Sequence, residues 1–155
     1  MSSTRKTTKA GKDSKEDSLG RLLLRAHRLY ADRALSRLNA RGHAQLGTAH
    51  VTLLPHIDAE GTRTSVLGER AGMTKQAAGQ IVADLERAGY VERLADEGDG
   101  RAMRVTFTRR GRQLVADAGA VKEEVDRELA VFVGAGGLDQ LRSLLTRLLT
   151  AENER

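Results

Sequence analysis

The stretch MTKQAAGQIVADLERAGYV, from Met73 to Val91, constrains the fold more than any other part of this sequence. Thr74 is a good helix N-cap, Gly89 is placed to end the helix, and apolar residues recur between them at helical spacing. The predicted buried stripe consists of Ala77, Ile81, Leu85 and Ala88. The opposite face consists of Lys75, Gln76, Gly79, Gln80 and Ala83. A solvated helix in a chain that is 30% charged usually carries Glu and Lys there, so this face needs an explanation.

The segments on either side predict a helix-turn-helix followed by a hairpin. A short helix begins at an N-cap of Thr64 or Ser65 and ends at Ala71, and Gly72 breaks the chain before the next helix. After Gly89, the runs VERLA and RAMRVTF are typical of two strands joined by the turn DEGDG. In the second strand we expect Met103, Val105 and Phe107 to face the core. The predicted fold class is therefore mainly α with a small β-hairpin wing, a winged helix-turn-helix.

Four further helices surround this unit. Apolar spacing predicts helices from Leu19 to about Gly42, from about Thr48, from a Thr108 cap through Phe132, and from about Leu138. The first, fifth and sixth helices carry more apolar surface than one small lobe can bury, which favours a shared homodimer interface. The predicted division is a disordered basic arm over 1–17 and one domain over 18–155. Within the domain, the DNA-binding lobe spans about 46–108, and the dimerisation helices span about 18–41 and 109–151.

Composition excludes several classes of protein. There is no Cys, hence no disulfide, thiolate metal site or thiol switch. No apolar run reaches 18 residues and no apolar segment follows the basic N-terminus, so we expect a soluble cytoplasmic protein without membrane contact. We find no phosphate loop, HExxH or nucleophile elbow, so we expect no enzyme and no cofactor. The net charge of +5 includes an Arg-rich stretch from Arg93 to Arg112, which favours a nucleic-acid partner.

The lightly charged helix face fits the major groove of DNA. A Gln side chain has both a donor and an acceptor and can read adenine, and a Lys can reach guanine or phosphate. Gly79 and Ala83 permit a close approach of the backbone, and Thr74 can donate to a phosphate beside the helix N-terminus. An Arg at the hairpin tip can enter the adjacent minor groove, which attracts guanidinium groups. Arg104, lower in the hairpin, is equally consistent with a phosphate contact and with a solvated strand residue.

Two motifs resemble the multiple antibiotic resistance regulator (MarR) family. These are ERAGMTKQAAGQIVADLERAGYVER, similar to the recognition helix and first wing strand, and DGRAMRVTFTRRG, similar to the wing signature. The resemblance covers about residues 19–150 and implies a homodimeric, ligand-responsive repressor that binds an inverted-repeat operator. It also implies that Asp99 orients Arg101 for the minor groove. The predicted DNA contacts are Thr64, Ser65, Thr74, Lys75, Gln76, Gly79, Gln80, Asp99, Arg101 and Arg104. Gly68 stands where such units usually hold Ala, which predicts a slightly weaker third helix.

Several alternatives concern the ligand and the mode of binding. Relatives in the family release DNA when they bind aromatic acids, and an anionic or aromatic effector is predicted to contact Arg21, Arg25, His27 and His50. The His residues at 27, 43, 50 and 56 show no HxxxH pair, so we expect no metal site, and a metal-responsive regulator remains the minor alternative. A nonspecific architectural DNA-binding protein is the other alternative, although it would not need Gln on the recognition face.

Overall fold

A computed structural model describes residues 18–96 and 98–153 of the chain. The predicted arm over 1–17 lies outside the described residues. The elements in chain order are α1 (Leu19–Ala40), α2 (Thr48–Leu53), a 3₁₀ turn (Leu54–His56), β1 (Thr62–Arg63), α3 (Thr64–Arg70), α4 (Lys75–Arg87), β2 (Val91–Asp96), β3 (Asp99–Phe107), α5 (Arg109–Val133) and α6 (Ala135–Asn153). This architecture confirms the predicted winged helix-turn-helix between long helices. No helix in the described ranges is long and apolar enough to cross a membrane.

The turn between α3 and α4 is built around two glycines. Gly72 has a φ of +64°, a conformation that residues with a Cβ rarely adopt. Gly68 lies where α3 meets the turn, and a Cβ there would be 3.0 Å from the carbonyl oxygen of Met73 and 3.4 Å from the Cβ of Ala78. The glycine at 68 therefore permits close packing of the two helices, and its lower helix propensity is the cost of that contact. Arg63, rather than Thr64 or Ser65, is the N-cap of α3, and no side chain caps this helix.

The buried stripe of α4 differs from the prediction by one position at its start. Ala78, Val82 and Leu85 are buried, whereas Ala77 is exposed and Ile81 is only half-buried. Both stripes satisfy helical spacing, so periodicity alone could not separate them. The packing of Ala78 near Gly68 fixes the rotation of the helix. Thr74 caps α4 as predicted, its Oγ1 accepting a hydrogen bond from the amide of Ala77 at 3.1 Å.

The wing is a three-stranded antiparallel sheet in the order β1-β3-β2, in which the short β1 adds to the two predicted hairpin strands. The short β1 pairs only with the stretch of β3 around Val105, which is fully buried. Beyond that stretch β2 and β3 continue as a two-stranded ribbon, and Leu94 and Met103 are 50% and 47% exposed. The prediction that Met103 faces the core is therefore wrong, because nothing in the described ranges packs over this part of the ribbon.

The long helices pack around the lobe and leave apolar surface uncovered. α1 lies against α5, joined by ion pairs of Arg33 and Arg37 with Glu128 and of Arg41 with Glu124. α6 begins three residues earlier than predicted, directly after Gly134. Phe132, near the end of α5, is 71% exposed in a single copy of the chain. The other exposed large apolar residues of these helices, within the described ranges, are Leu19, Leu22, Leu24, Leu29, Val115, Val131, Val133, Leu141, Leu144, Leu148 and Leu149.

Candidate nucleic-acid interface

The outward face of α4 carries the side chains that were predicted from the sequence to contact bases. Lys75, Gln76 and Gln80 are exposed, and Gly79 is half-buried. The nearest atom to a Cβ built on Gly79 is the Cγ2 of Thr64 at 4.0 Å, so α3 and α4 meet beside this face. The result is a shallow surface on which long polar side chains flank a small residue. It allows the helix backbone to approach the edges of base pairs.

Gln80 forms a hydrogen bond with Asp84, a residue that was not predicted to belong to the site. Its Nε2 donates to Oδ1 of Asp84 at 3.3 Å, and Asp84 is also paired with Arg87. The Asp84 carboxylate thereby orients the amide group of Gln80, which retains its carbonyl oxygen as an acceptor. The i, i+4 spacing of Gln and Asp on one helix is the sequence signal for this contact.

Two further nominated residues lie at the start of α3. Thr64 is half-buried and Ser65 is exposed, in the first turn of the helix. Thr74 is exposed, and its oxygen accepts from Ala77, so its hydroxyl hydrogen can still be donated to a phosphate oxygen. The structure thus brings Thr64 and the α4 face together, with Thr74 at the N-terminal end of the same helix.

The wing contains residues that the structure describes and residues that it does not. The side chains of Asp99 and Arg101 lie outside the described part, so their predicted contact is not visible. Arg104 donates from Nε to Oδ2 of Asp96 at 3.3 Å and from NH1 to the carbonyl oxygen of Glu60 at 3.2 Å. Arg104 is therefore anchored by Asp96 and Glu60, and its side chain is still 41% exposed.

The four residues predicted to contact an effector do not lie on one surface of the protein. Arg21, Arg25 and His27 are exposed on the first turns of α1. Arg25 and His27 are two positions apart, so they point to different sides of the helix. His50 lies elsewhere, in α2, where its Nδ1 accepts from the amide of Gly47 at 2.8 Å and its Nε2 lies 4.0 Å from Asp84. No group of three potential metal ligands occurs among the residues that the structure describes.

A cleft that could hold a small ligand lies between the long helices and the winged lobe. Its volume is about 360 Å³. It is lined by Leu38, Val51, Leu54, Pro55, Ile57, Phe107, Leu114, Val115, Ala118, Gly119 and Lys122. These walls are apolar except for Lys122, which stands at 65% side-chain exposure with its Nζ 3.4 Å from Asp126. Residue spacing could not identify this cleft, because its walls come from α1, α2, β3 and α5.

The helix-turn-helix, the three-stranded wing and the flanking long helices define the winged helix class of DNA-binding folds. Residues 44–102 match the sequence model of the MarR family. The HTH-type transcriptional repressor Rv2887 of Mycobacterium tuberculosis is 32% identical over 88 residues, and the match covers 57% of this chain and 63% of that relative. The chain is therefore similar to the MarR family of transcriptional regulators, and the sequence match is centred on the winged helix-turn-helix lobe.

Solved structures extend the likeness to the long helices. A probable transcriptional regulator from Pseudomonas aeruginosa has a TM-score of 0.70 and 25% identity, covering 86% of this chain and 98% of that one. The Rv2887 protein in complex with salicylic acid has a TM-score of 0.66 and 27% identity, covering 87% of this chain and 98% of that one. The shared fold thus includes α1 and the C-terminal helices as well as the winged lobe.

Proposed function

We propose that this protein is a transcriptional repressor that binds a specific DNA sequence through α4. The single observation that carries the proposal is the exposed, lightly charged face of Lys75, Gln76, Gly79 and Gln80, with the wing beside it. Amide side chains discriminate base edges, whereas a nonspecific binder needs only positive charge. The protein acts as a DNA-binding regulator in the cytoplasm and not as an enzyme.

Selection of bound duplexes from a random pool tests this proposal. Repeated selection should enrich one motif, and the enriched duplex should bind at least about a thousandfold more tightly than a scrambled one at physiological salt. An architectural protein would instead enrich no motif and would lose its binding steeply as salt rises. That outcome would contradict the repressor proposal and favour a nonspecific architectural DNA-binding protein.

We further propose that the protein is a homodimer. The ends of α1 and α5 and one side of α6 expose Leu19, Phe132, Leu144 and Leu148, among other apolar residues, more than a soluble monomer usually presents. A two-fold interface that buries them would place the two α4 helices on an inverted repeat, with half-sites about one helical turn apart. Sedimentation should show a dimer at micromolar concentration, and a monomer that binds DNA at full affinity would refute the interface.

We also propose that the cleft with Lys122 at its edge is the effector site. Its apolar walls suit an aromatic ring, and the ammonium group at its edge suits a carboxylate. The relative Rv2887 has been crystallised with salicylic acid, which is an aromatic acid of this kind. An effector that prefers a dimer with wrongly spaced α4 helices would release DNA through that difference in affinity. Arg21 and Arg25, one turn apart on α1, remain a second proposed contact for an anion.

A further inference from the structure

Asp84, one helical turn after Gln80 on α4, is an acidic residue beside the face that is proposed to bind DNA. A carboxylate there repels phosphate groups, so it weakens binding unless it contributes something else. Its Oδ1 accepts from Nε2 of Gln80 at 3.3 Å and is also paired with Arg87. Its Oδ2 lies 4.0 Å from Nε2 of His50, which belongs to α2. Asp84 is therefore the centre of a small polar network that joins two helices.

Two neighbours hold the Asp84 carboxylate in place. Nδ1 of His50 accepts from the amide of Gly47 at 2.8 Å, so the ring proton is on Nε2, the atom that faces Asp84. The His50 side chain is only 18% exposed, and this bond ties its ring to the N-terminus of α2. Arg87, three positions further along α4, contacts Oδ1 of Asp84. The position of the carboxylate is thus set by α2 as well as by α4.

A fixed carboxylate determines which end of the Gln80 amide group faces it. A carboxylate can only accept hydrogen bonds, so Nε2 of Gln80 is turned toward Asp84 and the carbonyl oxygen is turned away. One hydrogen of Nε2 is engaged in this bond, which leaves one donor and one acceptor for a base. In the major groove adenine presents the complementary pair, an acceptor at N7 and a donor at N6, whereas guanine presents two acceptors, N7 and O6. In this orientation the carbonyl oxygen of Gln80 would face O6 of guanine with no hydrogen between them.

We infer that Asp84 is a positioning residue that makes Gln80 select adenine over guanine. Asp84 acts through Gln80 and does not itself contact the base. Without the carboxylate the amide group can turn over and donate to both acceptors of guanine, so the preference is lost. His50 then supports the DNA-binding face by holding Asp84 from α2. The inference rests on the proposed sequence-specific binding of DNA.

The base that Gln80 contacts is identified first. Each base pair of the duplex selected by the native protein is changed in turn, and the contacted position is the one at which Gln80→Ala no longer discriminates. The native protein should bind the duplex with adenine at that position about tenfold more tightly than the duplex with guanine. A preference for any other base there would overturn the inference.

Asp84→Asn tests whether the carboxylate orients the amide group. Asparagine has both a donor and an acceptor, so Gln80 can bind it with either end of its amide. The ratio of the affinities for the adenine and guanine duplexes should fall to within about twofold of one. The affinity for a scrambled duplex should stay the same or rise, because a negative charge is removed. Asp84→Glu keeps a group that only accepts and should keep most of the ratio. A native ratio in Asp84→Asn would overturn the positioning role.

Glu86→Gln is the matched control for charge. Glu86 lies on the same helix, carries the same charge and is 3.7 Å from Arg93. Its replacement should change the affinities for all duplexes alike and leave the preference for adenine intact. If Glu86→Gln loses the preference as well, the effect is one of charge and the inference is overturned.

The double variant separates positioning from a direct contact. In the Gln80→Ala protein, Asp84→Asn should change no base preference further, because nothing remains for it to position. A further change there would show that Asp84 acts on the DNA itself and would overturn the inference. A native protein that selects no motif at all would instead refute the proposed function.

Discussion

The Nδ1 atom of His43 lies 3.0 Å from the hydroxyl oxygen of Tyr90, in the buried region where α1, α5 and the winged lobe meet. Nε2 of the same imidazole lies 2.9 Å from Oδ2 of Asp117, and Arg110 donates to the Tyr90 oxygen at 3.2 Å. One arrangement satisfies every group: Arg110 donates to Tyr90, Tyr90 donates to His43, and His43 donates to Asp117. His43 follows α1 and Tyr90 follows α4, so this chain of bonds connects the long helices with the recognition helix.

Removal of the Tyr90 hydroxyl should destabilise the protein. Tyr90→Phe keeps the ring but leaves Nδ1 of His43 without its donor in the interior, which costs about 1–3 kcal/mol in the free energy of unfolding. Urea unfolding of the two proteins measures the difference. His27→Gln, on the exposed face of α1, is the control and should change stability by less than about 0.5 kcal/mol. Equal stability of Tyr90→Phe and the native protein would show that this bond contributes nothing.

The same cluster predicts a dependence of stability on pH. The bond from His43, the largest cause, holds the pKa of Asp117 below its ordinary value of 3.8. A carboxyl group with a lowered pKa in the folded state contributes stability that is present above pH 3.8 and is lost as pH falls through the folded value. Asp117→Asn should therefore be less stable at neutral pH and should lose less stability on acidification. Urea midpoints from neutral to acidic pH test this, and parallel curves for the two proteins would contradict it.

Two glycines of α5 should respond in opposite directions to the same substitution. A Cβ on Gly111 would lie 2.0 Å from the carbonyl oxygen of Tyr90, so Gly111→Ala must displace backbone and should destabilise the protein by about 1–3 kcal/mol or more. A Cβ on Gly119 would meet nothing within 4 Å, and Gly119→Ala should stabilise the helix by about 0.5–1 kcal/mol. Thermal unfolding measures both changes. A stable Gly111→Ala protein would mean that α5 is not packed on Tyr90 in this way.

The sequence predicted the order of the elements because their ends carry local signals. A turn glycine or a capping threonine affects only the backbone within a few residues of it. The structure has four such residues in the expected turn or cap: Gly72, Thr74, Gly89 and Thr108. The rotation of α4 was not predictable in the same manner. It depends on the contact between Gly68 and Ala78 across two helices, which leaves no trace in the periodicity of either.

The residues of the candidate site also differ in whether they could be predicted from the sequence. The residues of α4 were identified from the sequence because their unusual composition lies within one helix. Asp96 was missed because Arg63 is 33 positions earlier in the chain, and the bond of His43 with Asp117 spans 74 positions. Only the folded chain brings such partners together, so neither the bond of Arg63 with Asp96 nor that of His43 with Asp117 could be predicted from residue spacing.

The effector proposal predicts that the positive charge of Lys122 strengthens the binding of an anionic ligand in the cleft. Salicylate is the probe, and salicylamide, which lacks the carboxylate, is its neutral counterpart. Lys122→Ala should weaken salicylate binding by about tenfold in calorimetry, because a charge-assisted hydrogen bond is lost, and should leave the weaker binding of salicylamide unchanged. Lys75→Ala, on α4, is the control and should bind salicylate normally. A loss seen instead in a variant with both Arg21→Ala and Arg25→Ala would move the site to α1.

The central claim is that the amide-bearing face of α4 reads sequence, and one substitution tests it most directly. Gln80→Ala and its matched control Gln113→Ala each remove a Gln that donates to an Asp four positions later at 3.3 Å, one on α4 and one on α5. Each is titrated against the selected duplex and its scrambled counterpart at several salt concentrations. We predict that Gln80→Ala loses about 1–3 kcal/mol on the selected duplex alone, while Gln113→Ala loses nothing on either. Equal weakening of both duplexes by Gln80→Ala would contradict the claim.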